Sequence, residues 1–402
     1  MADSPQKTVL LGLTGGIAAY KAAELARLLI KDGFQVQAAM TEAARHFVGA
    51  ATLQAITGRP VFIDLWDANV PNSMAHINLG RDADLILVAP ASADFLAKLA
   101  SGIADDLLST LCLARDGPLA VAPAMNRQMW ENPATRRNLE TLRSDGVMVL
   151  GPASGDQACG ETGMGRMLEA EELARTVRGL LQPKLLSGMR VLITAGPTFE
   201  AMDPVRGITN RSSGKMGYAV ARAALDAGAE VTLVSGPVAL TPPAAAKVLP
   251  VETALQMFDA VKKAVKGADI FIGVAAVADY RPVELRGQKI KKGPETMRVD
   301  LTRNPDILEY VASLPRPPLC VGFAAESENL EANAQEKRRR KKLALVAANL
   351  AQTAIGAADN ELVLFDDAGR HVLPRAPKEE LARQLVEHIA RLCAATRRGR
   401  GR

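Results

Sequence analysis

Apolar positions along the chain alternate between short continuous runs and helical spacing, which predicts strands that alternate with helices. Residues 11–40 show an apolar run, a glycine-rich loop, an amphipathic helix and a second apolar run. Residues 189–234 repeat this plan, with a much longer polar loop between the strand at 189–193 and the helix at 218–227. Each stretch has the pattern of an opening βαβ unit, so one chain begins two nucleotide-type folds.

Further apolar runs lie at 83–89, 119–122, 270–278 and 321–326, and we interpret each as a buried strand of a parallel sheet. Ligands of open α/β sheets bind beyond the carboxyl ends of such strands. Candidate site residues therefore follow these runs. Residues 154–167 contain four glycines, and we expect a mobile flap without regular structure. This flap carries one thiol, Cys159.

The predicted fold class is α/β, with two doubly wound, mainly parallel-sheet domains of Rossmann or flavodoxin type in tandem. A length of 402 residues exceeds what one hydrophobic core usually organises. A weakly patterned linker at 181–188 separates the halves. We expect a first domain at 1–189 and a second at 190–402.

Composition narrows the function classes. Aromatic residues make up only 4% of the chain, so stacking surfaces for single-stranded nucleic acid are scarce. The longest apolar run is too short for a membrane span, and the N-terminus lacks the apolar core of a signal peptide. The four cysteines are widely spaced without a CxxC motif, which argues against zinc and against a disulfide framework. We expect a cytoplasmic enzyme that binds neither membrane nor nucleic acid.

The net charge of +5 owes much to two basic clusters, at 337–342 and at the C-terminus. The first is typical of a solvated helix face or a nucleic-acid patch. Lys337 and Lys341 share one helix face at i, i+4, however, and their mutual repulsion is tolerable where a polyphosphate lies between them. Aromatic residues do not interleave with this cluster, which weakens the nucleic-acid interpretation.

The first glycine loop has the spacing GxxGG at Gly12, Gly15 and Gly16, and it fails the GxGxxG test for a dinucleotide. The strand after it ends at Thr41, where a dinucleotide fold has an acidic residue. Backbone N–H groups at the helix N-terminus favour an anion, and the hydroxyls of Thr14 and Thr41 offer further donors. A mononucleotide phosphate such as that of FMN suits the loop, and a tight turn without any ligand stays open as the alternative.

The first half resembles the homo-oligomeric flavin-containing cysteine decarboxylases. The matching motifs are GxxGGIAAYK at 12–21, a histidine at 76, PAS at 90–92, PAMNxxMW at 123–130 and ACGExGxGRM at 158–167. The resemblance implies FMN contacts from Gly15, Gly16, Ile17, Thr41, Ser92 and Asp105. The family usually has an Asn in the pair Asp105–Asp106, so a carboxylate replaces that amide here.

Decarboxylation of a cysteine carboxylate needs an electron sink, which a flavin supplies when it oxidises CH₂–SH to a thioaldehyde and later returns the hydride. By resemblance, His76 is the base that activates the substrate. Asn126 holds the departing carboxylate, and Cys159 donates a proton to the enethiolate while its flap excludes water.

The long loop of the second half is not a phosphate-binding P-loop, since six residues separate Gly207 from Gly214 and Met216 stands in the Ser/Thr position. Its second strand ends at Ser235, without the acidic residue of NAD folds. Asp279 follows the strand at 270–278. Such a carboxylate contacts a metal or nucleotide, or merely caps a helix.

The second half resembles the bacterial, CTP-using phosphopantothenate–cysteine ligases, through ITAGPTxExxDPVRxITNxSSGKMG, AAVADY, KIKK, NPDI and VGFAAE. The resemblance implies that Lys289, Lys337 and Lys341 neutralise the triphosphate with Mg²⁺, and that Asp279 contacts nucleotide or metal. It further implies that Asn210 and Arg206 hold the acyl-cytidylate. The remaining implied nucleotide contacts are Gly273, Val274, Ala275, Phe323 and the segment Asn304, Pro305, Asp306 and Ile307.

Together the halves resemble the bifunctional enzymes of coenzyme A synthesis. These join cysteine to 4′-phosphopantothenate at the expense of CTP and then decarboxylate the product to 4′-phosphopantetheine. The resemblance implies trimers of the flavin half and dimers of the ligase half, which combine into a dodecamer. Two alternatives stay open: a flavoprotein that decarboxylates C-terminal cysteines of peptides, and a non-catalytic flavin-binding regulator.

Overall fold

A computed structural model describes residues 6–66, 75–158, 160–291, 297–326, 328–350 and 359–400. The chain divides into two compact units, Met1–Leu181 and Gln182–Arg402. Each unit has its own sheet and core. Within the described residues, no helix is both long and apolar enough to cross a membrane.

The first unit is built on a five-stranded parallel sheet with the strand order β2-β1-β3-β4-β5. Its strands are β1 (Thr8–Leu13), β2 (Gln35–Met40), β3 (Leu85–Ala91), β4 (Leu119–Pro123) and β5 (Met148–Val149). Its helices are α1 (Tyr20–Lys31), α2 (Ala50–Thr57), α3 (Ala75–Asp82), α4 (Ala93–Ser101), α5 (Leu107–Leu113), α6 (Arg127–Glu131), α7 (Pro133–Ser144) and α8 (Ala170–Leu181).

Strand β3 shows why continuous apolar runs predict this sheet correctly. All its residues are buried. Leu85 and Leu87 face the core formed with α1 and α8, whereas Ile86 and Val88 face the core formed with α4 and α5. Since successive side chains of a strand point to opposite faces, a sheet covered by helices on both sides requires apolar residues throughout.

The second unit contains an eight-stranded sheet with the order β12-β11-β8-β13-β16-β17-β18-β19. Its strands are β8 (Arg190–Ala195), β11 (Glu230–Ser235), β12 (Lys247–Pro250), β13 (Ile270–Gly273), β16 (Leu319–Glu326), β17 (Leu345–Leu350), β18 (Asp359–Asp366) and β19 (Gly369–Pro377). The strands from β12 to β17 are parallel, and β18 and β19 are antiparallel. The predicted class of two mainly parallel, doubly wound sheets is confirmed.

The helices of the second unit are α9 (Lys215–Asp226), α10 (Ala254–Ala264), α11 (Ile307–Ala312), α12 (Leu330–Lys341) and α13 (Lys378–Arg400). Helices α9 and α13 cover one face of the sheet, while α10, α11 and α12 cover the other. Two short hairpins complete the unit: β9 (Phe199–Ala201) with β10 (Gly207–Thr209), and β14 (Tyr280–Pro282) with β15 (Leu301–Arg303).

The strand predicted at 270–278 is wrong in its second half, because β13 ends at Gly273. The following residues are still apolar, and their N–H groups bond to the end of β8 and to the loop after it. Val274 N–H donates to Thr194 O (3.1 Å) and Ala276 N–H donates to Gly196 O (2.9 Å). Small apolar residues therefore form a ledge beyond the sheet, at its carboxyl edge.

The expectation of an irregular flap at 154–167 is also wrong, because β6 (Ala153–Asp156) and β7 (Thr162–Arg166) form an antiparallel hairpin. The glycines allow the hairpin backbone to pack closely against the start of α6. A Cβ on Gly165 would lie 2.3 Å from Met125 O, and one on Gly163 would lie 2.5 Å from Arg127 Cδ. Neither position has room for a side chain.

The end of the predicted linker, 181–188, and the residue after it pack on the second unit. Leu186 and Met189 are buried in its core, and Leu186 N–H donates to Ala227 O (2.8 Å). The domain limits 1–189 and 190–402 stay a prediction.

Candidate functional site

Two adjoining cavities open at the carboxyl edge of the second sheet. The larger cavity has a volume of about 630 Å³ and the smaller about 280 Å³. Both are lined by Ala275, Val277 and Phe323, so the ledge after β13 forms a common wall. Predicted residues in the larger cavity are Gly273, Ala275, Asp279, Asn304, Pro305, Asp306, Ile307, Phe323, Lys337 and Lys341. Val274 and Asn210 line the smaller one.

The larger cavity concentrates positive charge from α12. Lys337 Nζ donates to Phe323 O (2.7 Å), and Lys341 forms an ion pair with Asp306. Burial, reinforced by the neighbouring Lys341, lowers the pKa of Lys337 below its ordinary value. Because the i, i+4 spacing places both ammonium groups in one cavity, a bound polyanion would relieve this electrostatic cost.

Backbone and capping interactions hold the segments around Asp279 and Asn304–Asp306, which also line the larger cavity. Asn304 N–H donates to Asp279 O (2.8 Å), and the Asn304 amide donates to Ala278 O (2.8 Å). Asp306 is the N-cap of α11 and accepts from Glu309 N–H (2.9 Å). Asp279 itself is exposed. It lines the same cavity as Lys337 and Lys341.

The smaller cavity lies at the N-terminus of α9. Asn210 Oδ1 accepts from Ser212 N–H (3.0 Å), and Ser212 Oγ accepts from Gly214 N–H (3.3 Å). Lys215 and Lys378 also line this cavity. Burial and then Lys215 lower the pKa of Lys378. The helix N-terminus and two cations favour an anionic ligand here.

Asp203 connects two loops that carry predicted residues. Its Oδ1 accepts from the N–H groups of Val205 and Arg206 (2.8 Å each), and its Oδ2 accepts from Ile290 N–H (3.0 Å). The Ile290 hydrogen bond is the main cause that lowers the pKa of this buried carboxyl group. Arg206 and Lys289 line neither cavity, and Lys289 is exposed on its loop.

In the first unit, the loop after β1 exposes backbone N–H groups. Within the described part of the chain, no backbone carbonyl accepts from Gly15, Gly16 or Ile17 N–H. A Cβ on Gly15 would lie 2.7 Å from Ala43 Cβ, whereas Gly16 faces open space. The loop thus fits an anion held by main-chain donors.

Hydroxyl groups border this loop in different ways. Thr41 caps a 3-10 turn by accepting from Ala44 N–H (3.3 Å), and Ser92 caps α4 by accepting from Phe95 N–H (3.2 Å). The expectation that Thr14 donates to a phosphate is wrong. Its buried hydroxyl donates to Pro90 O (2.8 Å) and accepts from Ser92 N–H (2.9 Å), so it ties β1 to the end of β3.

Asn126 lies where β4 ends and α6 begins, and its Oδ1 accepts from Met129 N–H (3.0 Å). The β6–β7 hairpin reaches the same point. Gln157 Oε1 accepts from Arg127 N–H (3.0 Å), and Glu161 Oε1 accepts from the Gln128 amide (2.7 Å). The tip of the hairpin is therefore held beside Asn126.

Two predicted catalytic residues lack a described side chain. Cys159 lies outside the described residues. His76 is the second residue of α3, and its side chain lies outside the described part.

Asp105 lies in the turn between α4 and α5 and pairs with Lys98 (2.9 Å). This hydrogen bond lowers the pKa of the exposed Asp105 carboxyl group. Asp106 instead caps α5 in a reciprocal pair with Ser109. If Asp105 contacts the flavin as predicted, it does so with a carboxylate that already pairs with Lys98.

Sequence reasoning missed Asp203, Thr194 and Lys378. Thr194 Oγ1 accepts from Ala275 N–H (3.4 Å) and lines the larger cavity. Thr194 is a polar residue in an otherwise apolar strand, directly before the loop, and this position could have indicated a site residue. Asp203 lies within the DPVR part of the ligase motif, but its partner Ile290 is far away in the sequence. Lys378 likewise has its neighbour Lys215 far away, and no local pattern marks it.

Comparison with known proteins decides the family. The Flavoprotein family model matches residues 1–182, and the model of the DNA/pantothenate metabolism flavoprotein C-terminal domain matches residues 186–392. The coenzyme A biosynthesis bifunctional protein CoaBC of Vibrio cholerae is 50% identical over 389 residues, which cover 95% of this chain and 98% of that protein. This chain belongs to the CoaBC family.

A second relative agrees with this assignment, and one solved structure is similar to part of the chain. CoaBC of Escherichia coli strain K12 is 48% identical, with 95% of this chain and 96% of that protein covered. A crystal structure of the C-terminal domain of a CoaBC protein is 39% identical and covers 53% of this chain and 99% of its own, at a TM-score of 0.47.

The resemblance found in the sequence is thereby confirmed. The protein is a bifunctional enzyme of coenzyme A biosynthesis, with phosphopantothenoylcysteine decarboxylase and phosphopantothenate–cysteine ligase activities. Its first half is a flavoprotein domain.

Proposed function

We propose that the larger cavity of the second unit binds CTP with Mg²⁺ and that the smaller cavity binds 4′-phosphopantothenate. The observation that carries this proposal is the common wall of Ala275, Val277 and Phe323. Because the same three residues line both cavities, the two ligands would be neighbours. The carboxylate of 4′-phosphopantothenate would then lie near the α-phosphate of CTP. Proximity of this kind is a large source of rate enhancement.

The ligase reaction then proceeds in two displacements. The carboxylate oxygen of 4′-phosphopantothenate attacks the α-phosphorus, and pyrophosphate leaves, which gives an acyl-cytidylate. The amine of cysteine attacks the acyl carbon, loses a proton and displaces CMP to form the amide. Lys337 and Lys341 stabilise the charge that develops on the leaving pyrophosphate. Bound Mg²⁺, with Asp279 as its protein ligand, would neutralise further phosphate charge.

Asn210 and Arg206 hold the acyl-cytidylate in this proposal. Asn210 lines the smaller cavity, and its Oδ1 is occupied by Ser212 N–H, which orients its NH₂ group as a donor. Lys289 joins from its exposed loop, to which Asp203 is hydrogen-bonded through Ile290. Gly273, Val274 and Ala275 offer backbone groups to the cytosine, and Phe323 packs beside it.

For the first unit, we propose FMN as the flavin. Its phosphate fits the free N–H groups of Gly15, Gly16 and Ile17, with the hydroxyls of Thr41 and Ser92 nearby and Asp105 at the far side. When bound, FMN supplies reversible hydride acceptance. His76 takes a proton from the substrate, Asn126 holds the carboxylate that leaves as CO₂, and Cys159 returns a proton under the β6–β7 hairpin.

Assembly is part of the proposal. Ile17 and Tyr20 are each 62% exposed beside the flavin loop, which supports a second copy of the chain covering them. We propose trimers of the first unit and dimers of the second, combined into a cytoplasmic dodecamer whose partners are small molecules rather than nucleic acid.

A discriminating experiment supplies 4′-phosphopantothenate, cysteine and CTP to the purified protein and follows CMP and CO₂ by mass spectrometry. We expect both products and a yellow preparation. Replacement of CTP by ATP tests the nucleotide assignment. A decarboxylase of peptide cysteines would release CO₂ from a peptide without CTP, and a non-catalytic regulator would release neither product.

A further inference from the structure

Three metal-ligating side chains meet at the end of the second sheet that lies away from the cavities. Asp366 is the last residue of β18, His371 lies in β19 and His388 lies in α13. Asn360, near the start of β18, lines the smaller cavity. Because a strand rises about 3.3 Å per residue, Asp366 is roughly 20 Å from that cavity. The ligase reaction therefore makes no use of this cluster.

The cluster has compact geometry. His388 Nε2 lies 2.7 Å from Asp366 Oδ2, and His371 Nε2 lies 3.0 Å from Asp366 Oδ1. One donor atom of each residue lies within 4.8 Å of the others. Zinc bonds to nitrogen and oxygen of about 2.0–2.1 Å place tetrahedral ligands about 3.3 Å apart. Zinc binding would therefore require both Nε2 atoms to move several tenths of an ångström away from the carboxylate oxygens, and the three donors to rearrange around the ion.

The chemical state of these groups also suits a metal ion. Asp366 is buried, and hydrogen bonds from His371 and His388 hold its pKa below the ordinary value despite burial. Burial lowers the pKa of His388 despite its hydrogen bond to Asp366. Metal ligation requires an ionised carboxylate and neutral imidazoles. On binding, each imidazole proton that faces Asp366 moves to Nδ1, so Nε2 presents its lone pair.

The remaining ligation sphere is partly prepared. Asp366 Oδ1 also accepts from the N–H groups of Ala368 and Gly369 (2.8 and 3.1 Å), which orient the carboxylate as outer-shell partners do in metal sites. His371 is half-exposed and His388 is buried. Solvent reaches the cluster from the side of His371, so an entry path and a fourth, water ligand are available.

We propose that Asp366, His371 and His388 bind one Zn²⁺ ion, which joins the β18–β19 hairpin to α13. Two nitrogen donors and one carboxylate are a ligand set that zinc accepts. The argument against zinc from the sequence concerned cysteine spacing, and none of these donors is a cysteine. The site is structural in kind, since it lies apart from both cavities.

The test uses the full-length protein after treatment with EDTA and dialysis against Zn²⁺, with zinc counted by mass spectrometry of the desalted protein. We expect the parent to retain about one zinc ion per chain more than His371→Gln. Zinc should also raise the melting temperature of the parent by roughly 5 °C at saturation. His46→Gln, which removes an exposed histidine of the first unit, should behave as the parent does.

Two further measurements keep the outcome clear. Co²⁺ in place of Zn²⁺ should give visible absorption in the parent that His371→Gln and Asp366→Asn lack. Circular dichroism identifies a variant that fails to fold, and the half-exposed His371 is the safer substitution than buried His388. Equal zinc retention in the parent and His371→Gln, or no retention by the parent, would overturn the proposal and leave a metal-free hydrogen-bonded triad.

Discussion

The loops after β1 and β8 follow the same strand–loop–helix plan yet bind by different means. The first loop is short, and its free N–H groups at Gly15–Ile17 lead directly into a 3-10 turn and α1. The second runs from Gly196 to Gly214 and contains the β9–β10 hairpin before α9 begins. The first unit thus offers mainly backbone N–H groups to a ligand, whereas the second offers mainly side chains.

This difference has consequences for each reaction. A main-chain anion site holds a resident group in one place, which suits a flavin that returns unchanged after each turnover. In the proposed mechanism, the long loop supplies Asn210 and Arg206, whose side chains contact an intermediate formed and consumed at the site. Substitutions in the first loop should therefore act through space and backbone, and those in the second through charge and hydrogen bonding.

The largest expected effect is at Asn210. Asn210→Asp replaces an NH₂ donor with a negative charge beside an anionic acyl-cytidylate, and we expect ligase activity to fall at least about 100-fold. Release of CMP measures this activity. Decarboxylation of synthetic phosphopantothenoylcysteine should continue at the parent rate. A variant that loses both activities while folded would mean that the two sites are not separate.

In the first loop, Gly15→Ala should act by steric conflict. The new Cβ lies 2.7 Å from Ala43 Cβ, and relief of that contact shifts the N–H groups that face the flavin phosphate. Steric strain of this kind costs about 1–3 kcal/mol, so we expect flavin affinity to fall roughly 10-fold or more. The ratio of flavin to protein absorbance after gel filtration measures this effect. Gly49→Ala, where no atom lies within 4 Å of the new Cβ, is the matched control.

Asp203→Asn tests the connection between the Arg206 turn and the Lys289 loop. An amide keeps one acceptor oxygen but presents NH₂ toward Ile290 N–H. Loss of a charged hydrogen bond of about 1.5–3 kcal/mol predicts a decrease in ligase kcat of roughly 10-fold. The decarboxylase should not change. If KM and kcat of the ligase both stayed at parent values, Asp203 would have no positioning role.

The smallest effect concerns Lys337. The pKa of Lys337 is lowered in the free protein, and a bound triphosphate should raise it again, so binding takes up a proton at pH values between the free and bound pKa. Nucleotide affinity should therefore be full at low pH and weaken as the pH rises through the free-protein pKa. Lys337→Gln should weaken CTP binding several-fold, by about 1 kcal/mol, and lose this pH dependence.

Arg339→Gln is the control for charge alone, because Arg339 belongs to the same helix but lines neither cavity. Calorimetry in buffers of different ionisation enthalpy measures the proton uptake. An identical pH dependence in parent and Lys337→Gln would contradict the assignment of Lys337 to the phosphates.

Local sequence pattern sufficed for the sheets and for the presence of cavities at the carboxyl edge of the second sheet. Continuous apolar runs identify β3 and β16, and i, i+4 spacing brings Lys337 and Lys341 into one cavity. The pattern failed after Gly273, where small apolar residues leave the sheet. Hydrophobicity alone does not mark the residue at which a strand ends. The pattern also failed for the β6–β7 hairpin, where glycines permit contact with α6 rather than disorder.

Long-range contacts account for the rest. Asp203 and Ile290 are 87 residues apart, and His388 lies 22 residues after Asp366. No local period connects such pairs. Thr14 shows the same limit, since a hydroxyl that seemed available to a phosphate is used by Pro90 and Ser92 of the neighbouring strand's end.

The most direct test of two separate sites is complementation between inactive variants. Cys159→Ser should retain ligase activity and lose decarboxylation by a factor of about 10²–10⁴, and Asn210→Asp should do the reverse. Separately purified and then mixed with 4′-phosphopantothenate, cysteine and CTP, the two should release CO₂ and CMP in equal amounts, because the ligated product diffuses from one protein to the other. A mixture that forms CMP without CO₂, or neither, would contradict the account.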